Sequence, residues 1–113
     1  MSKDPKIYLE HILECINLIE EYIKGKTKKD FFNTIQIQDA VIRRIEIIGE
    51  AVRNLPDDFK TKNIEVPWKK ISGMRDILIH KYFGVDLELT WEVVKRDLND
   101  LKKKIIKIKE KMN

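Results

Sequence analysis

Residues 87–111 read LELTWEVVKRDLNDLKKKIIKIKEK and give the clearest helical pattern in the chain. Apolar side chains recur there at alternating spacings of four and three residues, namely at Leu87, Trp91, Val94, Leu98, Leu101, Ile105 and Ile108. This spacing keeps one apolar stripe on one side of an α-helix. The stretch therefore predicts a long amphipathic helix that packs its apolar face against other helices.

Two earlier stretches carry the same kind of apolar stripe, and each predicts a helix. The first spans about residues 4–24 and ends at Gly25, which suits a C-terminal cap. The second begins at a cap formed by Thr27 or Asp30 and continues to about Leu55, where the following proline stops it.

The stretch 56–67, PDDFKTKNIEVP, is polar and rich in turn-forming residues, and it predicts a long loop with a helical turn at residues 57–60. A shorter third helix should begin near Pro67 and continue to Gly84. The pattern predicts an all-α fold, an antiparallel four-helix bundle with a long loop before the third helix. A chain of 113 residues suits one domain, so we expect residues 1–113 to form a single folding unit.

The composition is that of a helical protein with a mixed, charged surface. Basic residues number 23 and acidic residues 19, and the net charge of +4 permits a polyanionic partner without identifying one. The single cysteine, Cys15, lies among apolar residues, which predicts a buried thiol and fits a reducing cytoplasm. No stretch reaches the roughly 18 apolar residues of a membrane span. We therefore expect a cytoplasmic protein with no membrane partner.

Residues 75–82 read RDILIHKY and place polar groups inside an otherwise apolar run. On a helix, Asp76 and His80 share a face, so the carboxylate can accept a hydrogen bond from the imidazole and orient it. A permanently charged arginine beside a group that titrates near neutral pH is the combination that phosphodiester chemistry uses. In this interpretation Arg75 holds the phosphate and His80 moves the proton.

A structural interpretation of the same residues stays open. In it, Arg75 forms an ion pair with a carboxylate on the second helix, and His80 is a partly buried residue at a helix end. The chain has no glycine-rich phosphate loop and no Cys or His spacing for zinc, so we expect no cofactor and no metal site. A metal-free enzyme that cuts RNA recruits the neighbouring 2′-hydroxyl as its nucleophile.

The second predicted helix carries apolar residues on more than one side. Ile37, Ile42 and Ile47 lie off its main stripe. Such a helix needs a second apolar partner, and in so small a protein another copy of the chain can supply it. We therefore predict a homodimer.

Four segments resemble HEPN-domain proteins and, among these, the HepT-like toxins of prokaryotic toxin–antitoxin pairs. The resemblance covers nearly the whole chain, in YLEHILECINLIEEYI (8–23), DAVIRRIEIIGEAV (39–52), VPWKKISGMRDILIHKYFGVD (66–86) and LTWEVVKRDLNDL (89–101). It implies an all-helical bundle that dimerises. It also implies that the Arg and His of two chains face each other across a cleft and form a metal-independent endoribonuclease.

The resemblance assigns roles to individual residues. It implies that Arg75 and His80 are the catalytic pair, and that Asp76 fills a polar position often held by Asn in the family. It further implies that Tyr82 accepts an adenylyl group (AMPylation) from an antitoxin, a minimal nucleotidyltransferase. The negative charge of the attached AMP would repel the RNA backbone. Arg44 and Glu50 on the second helix are candidates for supporting the site and, equally, for ordinary ion pairs.

The sequence thus predicts an RNase toxin that leaves 2′,3′-cyclic phosphate ends. One alternative is a non-catalytic HEPN module that binds a nucleotidyltransferase partner or a nucleotide. Another is a purely structural dimer, in which Arg75 would be paired and inaccessible.

Overall fold

Helices make up most of the computed structural model, which describes residues 4–80 and 84–112. They are α1 (Pro5–Ile23), α2 (Lys28–Phe32), α3 (Ile35–Asn54), α4 (Asp57–Lys62), α5 (Trp68–Ser72), α6 (Met74–Leu78), α7 (Leu87–Glu92) and α8 (Leu98–Lys111). A π-helical segment, Val93–Asp97, joins α7 to α8, and two short strands, β1 (Ile79–His80) and β2 (Gly84–Val85), follow α6. The predicted all-α class is confirmed.

The first helix matches its prediction closely. The Asp4 side chain caps α1 by accepting from the Lys6 amide, and Pro5 occupies the first turn, where a missing N–H costs nothing. After the helix, Gly25 adopts a φ of +73°, a left-handed conformation that glycine tolerates. Cys15 is buried in this helix, as predicted.

The second predicted helix is interrupted. Thr27 and Asp30 form a reciprocal capping box, but the helix they start, α2, ends at Phe32. The carbonyls of Phe31 and Phe32 accept from the side-chain amide of Gln38, one turn into α3. Because a side chain of α3 satisfies these helix-end carbonyls, the chain can break between the two helices and still keep its polar groups paired.

The predicted extent of the third helix is wrong. Gly73 separates α5 from α6, and α6 ends at Leu78 rather than near Gly84. The chain then forms a hairpin in which Ile79 pairs with Val85 and His80 with Gly84. Short runs of β-branched residues fit a strand as well as a helix, and Gly84 at the start of β2 has a φ of +76°, a left-handed conformation that glycine tolerates.

The loop before the third helix contains a short helix. The predicted turn at residues 57–60 is present as α4, which extends two residues further, to Lys62. Phe59 packs against Trp68 of α5 with ring centroids 6.1 Å apart, and the Trp68 indole donates to the Asn63 carbonyl. These contacts fasten the connection to the body of the fold.

The last predicted helix is confirmed, with a π-helical segment in its middle. Ion pairs join its α8 portion to α1: Lys102 contacts Glu20 at 2.6 Å and Lys109 contacts Glu10 at 4.0 Å. Since residue numbers rise along α8 while they fall along α1, the two helices are antiparallel. The lysine-rich helix α8 therefore uses two of its lysines to pair with carboxylates of α1.

The apolar stripes of the long helices meet in one core. Among its fully buried side chains are Leu9 and Ile12 of α1, Ile48 of α3, Leu78 of α6 and Ile105 of α8. Within the described residues, no helix is both long enough and apolar enough to cross a membrane. The single-domain prediction for residues 1–113 stays a prediction.

Candidate active site

Arg75 lies on α6, where this short helix packs against α3. Three contacts align α3 with the chain from Ser72, the last residue of α5, to Arg75 of α6, and the two run in opposite directions. The Arg53 guanidinium donates to the Ser72 carbonyl at 2.6 Å, Gly49 packs closely against Ser72, and Glu46 pairs with Arg75. The absence of a side chain at Gly49 allows this approach, since a Cβ there would lie 3.2 Å from the Ser72 oxygen.

The carboxylate of Glu46 joins two arginines. Its Oε1 accepts a hydrogen bond from Nη1 of Arg43, one turn earlier on α3, at 3.1 Å. Its Oε2 contacts Nε of Arg75 in an ion pair, in which the N–H is not well aligned for a hydrogen bond. The Arg43 hydrogen bond and then the Arg75 contact hold the pKa of Glu46 below its ordinary value.

Glu46 contacts the guanidinium of Arg75, but the Arg75 side chain remains partly exposed to solvent. Its side chain keeps 42% of its surface exposed, although Nε is buried against Glu46. Asp76 is a looser neighbour, with Oδ1 3.8 Å from Nη1 of Arg75 and a side chain that is 78% exposed. The contact through Nε leaves the two terminal amino groups of Arg75 as donors for another group.

The structure places His80 differently from its prediction. Its backbone belongs to β1, beyond the end of α6, so Asp76 and His80 do not share a helical face. The imidazole itself lies outside the described part of the chain, as does the whole of Tyr82. The hydrogen bond from the Asp86 amide to the Leu78 carbonyl, at 2.7 Å, ties the base of the hairpin together.

The two supporting candidates on α3 are not brought to Arg75. Arg44 is half-buried and faces Cys15 of α1. Burial raises the pKa of the Cys15 thiol, and Arg44 partly offsets that rise. Glu50 is exposed, and its side chain forms no ion pair with any residue of the described ranges.

Glu46 was not among the predicted site residues. The second predicted helix offers several charged residues within two turns, and only the packing of α3 on α6 selects which of them meets Arg75. The observed contact matches the structural interpretation, in which Arg75 pairs with a carboxylate of the second helix. The partial exposure of Arg75 argues against the purely structural dimer, in which this side chain would be inaccessible. The described residues contain no cluster of three or more His, Cys, Asp or Glu side chains that could hold a metal ion.

Comparison with known proteins identifies one ribonuclease family that matches most of the chain. A family described as "Ribonuclease HepT-like" matches residues 12–108. The match includes α3, α6 and both strands, and therefore every predicted site residue. No solved structure matches the chain.

Individual relatives agree with the family match. The chain is 47% identical over 110 residues to the "Probable ribonuclease HepT" of Thermococcus cleftensis, covering 97% of this chain and 100% of that protein. It is 64% identical over 113 residues to a Methanocaldococcus jannaschii protein named "Gamma-glutamylcyclotransferase and putative RNase". That alignment covers all of this chain but 51% of the relative, so the chain spans about half of that protein's length.

Proposed function

We propose that the chain, which belongs to the HepT-like ribonuclease family, is an endoribonuclease whose Arg75 and His80 act together on one phosphodiester of RNA. The observation that carries the proposal is the state of Arg75. Glu46 holds its guanidinium at one edge, while 42% of the side chain remains exposed. A fixed and accessible guanidinium is what phosphate binding requires.

In the proposed reaction, Arg75 binds the phosphate through its terminal amino groups. Glu46 contacts Arg75 at Nε, and the terminal amino groups form no hydrogen bond with the described residues, so both remain donors for a phosphate. Negative charge grows on the non-bridging oxygens as the phosphorane forms. A positioned cation stabilises that charge more than it stabilises the ground state, and this difference lowers the barrier.

His80 supplies the proton transfers in this proposal. The RNA 2′-oxygen forms a bond to phosphorus as its proton passes to a neutral imidazole. The bond from phosphorus to the 5′-oxygen then breaks, and a protonated imidazole, from the same chain or from a second copy, gives its proton to that oxygen. The products are a 2′,3′-cyclic phosphate and a 5′-hydroxyl, with no metal ion needed.

The supporting residues enter the proposal with different roles. Glu46 positions Arg75, and Asp76 adds negative charge near the same guanidinium at 3.8 Å. Roles for Arg44 and Glu50 at the site stay predictions, because their described surroundings do not include Arg75.

A homodimer would complete the site. The half-buried Ile37, Ile42 and Ile47 of α3 leave apolar surface available, and Ile77 of α6 is 52% exposed. These residues lie on the two helices that carry Glu46 and Arg75, so a second copy packed there would place two such arginines near one cleft. Sedimentation at micromolar concentration tests this step, and a protein that stays monomeric would contradict it.

We further propose that the protein is the toxin of a toxin–antitoxin pair, acts in the cytoplasm and is neutralised by a minimal nucleotidyltransferase that AMPylates Tyr82. Attached AMP would add negative charge two residues from His80 and would repel the RNA backbone. The support is the resemblance to HepT-like toxins. Intact mass after co-expression with a minimal nucleotidyltransferase tests it, since the wild type should gain the adenylyl group and a Tyr82→Phe protein should not.

A second candidate function is a non-catalytic module that binds a nucleotidyltransferase or a nucleotide. The ion pair between Glu46 and Arg75 favours it, because a structural role for Arg75 needs no substrate. Expression in a bacterial host separates the two functions. A ribonuclease stops growth as wild type but not as His80→Ala, whereas a module that only binds is harmless in both forms.

Purified protein tests the proposed activity directly. We expect the wild type to cleave an end-labelled RNA in the presence of a metal chelator, and both Arg75→Ala and His80→Ala to lose most of that cleavage. A Lys62→Ala protein, changed at an exposed lysine of α4, is the control. Full cleavage by a freshly purified His80→Ala protein would contradict the proposal.

A further inference from the structure

Three hollows that share wall residues lie along α1 and the α7–α8 segment. Their volumes are about 240, 440 and 370 Å³. Lys95 of the π-helical segment lines all three, Asn99 joins the first to the second, and Ile23 joins the first to the third. We call this surface the α1–α8 groove. Arg75 lies in the wall of none of these hollows.

Exposed basic side chains dominate the groove. They come from the end of α1 and from the π-helical segment and α8, and they are Lys24, Lys26, Lys95, Arg96 and Lys103. None of them forms an ion pair with any residue of the described ranges. A charged side chain without a counter-ion remains available to an outside anion.

The acidic side chains of the groove are partly neutralised. Glu20 accepts from Lys102 at 2.6 Å, and Asp100 pairs with Lys104 at 3.1 Å. Two carboxylates, Glu21 and Glu92, are left to oppose the basic residues. The five cations that are unpaired within the described ranges therefore outnumber these two carboxylates, and they line more than one of the three hollows.

The aromatic residue of the groove indicates how a ligand would be held. Lys95 Nζ lies 5.4 Å from the centroid of the Trp91 ring, a cation–π contact that restrains the ammonium group. The same indole packs against Phe31, with ring centroids 5.5 Å apart. Because Trp91 is engaged by both neighbours, the groove suits contacts with a phosphate backbone better than stacking of bases.

We propose that the α1–α8 groove binds the backbone of single-stranded RNA, independently of its sequence, outside the residues that cut it. The proposal rests on the proposed function for the identity of the polyanion as RNA. The groove tracks phosphates through Lys95 and Lys103, with Lys24 and Lys26 extending the path at the end of α1. It holds a long substrate on the protein while Arg75 and His80 act elsewhere.

Binding of a twelve-nucleotide, fully 2′-O-methylated RNA tests this proposal. Such an RNA has no free 2′-hydroxyl, so its affinity does not depend on cleavage, and failure of the proposed enzymatic activity leaves the measurement intact. The variant is Lys95→Gln/Lys103→Gln, and its matched control is Lys62→Gln/Lys111→Gln. The control removes the same charge from exposed lysines that are unpaired within the described ranges and lie outside the groove.

We expect the groove variant to bind this RNA about tenfold more weakly than wild type at low salt. The slope of log affinity against log salt concentration should fall by about 1.4, since each phosphate contact on a single strand contributes roughly 0.7. The control should bind nearly as wild type, and all three proteins should melt at the same temperature. Equal losses in groove and control variants, or no loss in the groove variant, would overturn the proposal.

Discussion

Glu46 and Arg75 lie on different helices, α3 and α6, and their side chains form an ion pair in which Oε2 of Glu46 contacts Nε of Arg75. The other oxygen of the carboxylate accepts from Arg43, so Glu46 is itself held in place. This relationship fixes one edge of the guanidinium and leaves the other end exposed. It connects helix packing directly to the proposed chemistry.

Removing the charge of Glu46 should therefore reduce activity without unfolding the protein. We expect Glu46→Gln to lower the cleavage rate about tenfold, a change of about 1.4 kcal/mol in the barrier, because Arg75 loses its orientation. Glu46→Asp keeps the charge and should recover part of the rate. Rates and melting temperatures of both proteins check this.

The control for this prediction is Glu65→Gln, which changes an exposed carboxylate that forms no ion pair with the described residues. It should cleave RNA as wild type does. If Glu46→Gln also retains the full rate at a temperature where it is folded, then Glu46 does not position Arg75 for catalysis.

The same carboxylate gives the stability of the protein a defined pH dependence. Folding lowers the pKa of Glu46 below its ordinary value of 4.5, chiefly through Arg43 and then Arg75. The contribution of Glu46 to the free energy of unfolding is therefore complete above that ordinary value. It is lost as the pH falls through the lower pKa of the folded state.

Denaturant unfolding at a series of pH values measures this contribution. Wild type should be more stable than Glu46→Gln at pH 7, and the difference should shrink as the solution is acidified below the ordinary pKa. A difference that stays constant down to strongly acidic pH would show that the ionised carboxylate is not its source.

Two glycines with nearly equal φ angles allow an effect on stability to be distinguished from an effect on RNA cleavage. Gly84 in β2 has a φ of +76° and Gly25 after α1 has a φ of +73°, and a Cβ at either position would meet no atom within 4 Å. Alanine at either site should therefore lower the free energy of unfolding by a similar amount, about 1 kcal/mol. Chemical denaturation checks the two values.

Only one of these substitutions should affect cleavage. Gly84 pairs with His80 in the hairpin, so Gly84→Ala disturbs the backbone that carries the imidazole, whereas Gly25 follows α1 and takes no part in that pairing. We expect Gly84→Ala to cleave RNA several-fold more slowly than Gly25→Ala at a temperature where both are folded. Equal cleavage rates for the two variants would show that the conformation of the hairpin does not affect the activity.

Periodic apolar spacing was enough to predict the long helices. The stripes of α1 and of residues 87–111 repeat over five or more turns, and each faces a core that buries residues such as Ile12 and Ile105. Thr27 and Asp30 were predicted as alternative caps from local sequence, and the structure uses both of them in one capping box. In these cases local sequence alone determines the structure.

Where local signals conflict, the prediction was wrong. The run Ile77 to Ile79 fits a helix or a strand, and the pairing with β2 that ends α6 depends on residues further along the chain. The break between α2 and α3 depends on Gln38 reaching back to two carbonyls. The partner of Arg75 depends on how α3 packs on α6, which spacing along one helix does not specify.

The ends of the RNA fragments test the central claim most directly, since the claim is that Arg75 and His80 use the 2′-hydroxyl of the substrate. Mass spectrometry of the cleavage products should show 2′,3′-cyclic phosphates and 5′-hydroxyls for the wild type. An RNA with a single 2′-deoxynucleotide at a mapped cleavage position should resist cutting there. Cleavage at the deoxynucleotide, or products that carry 5′-phosphates from the outset, would contradict the account.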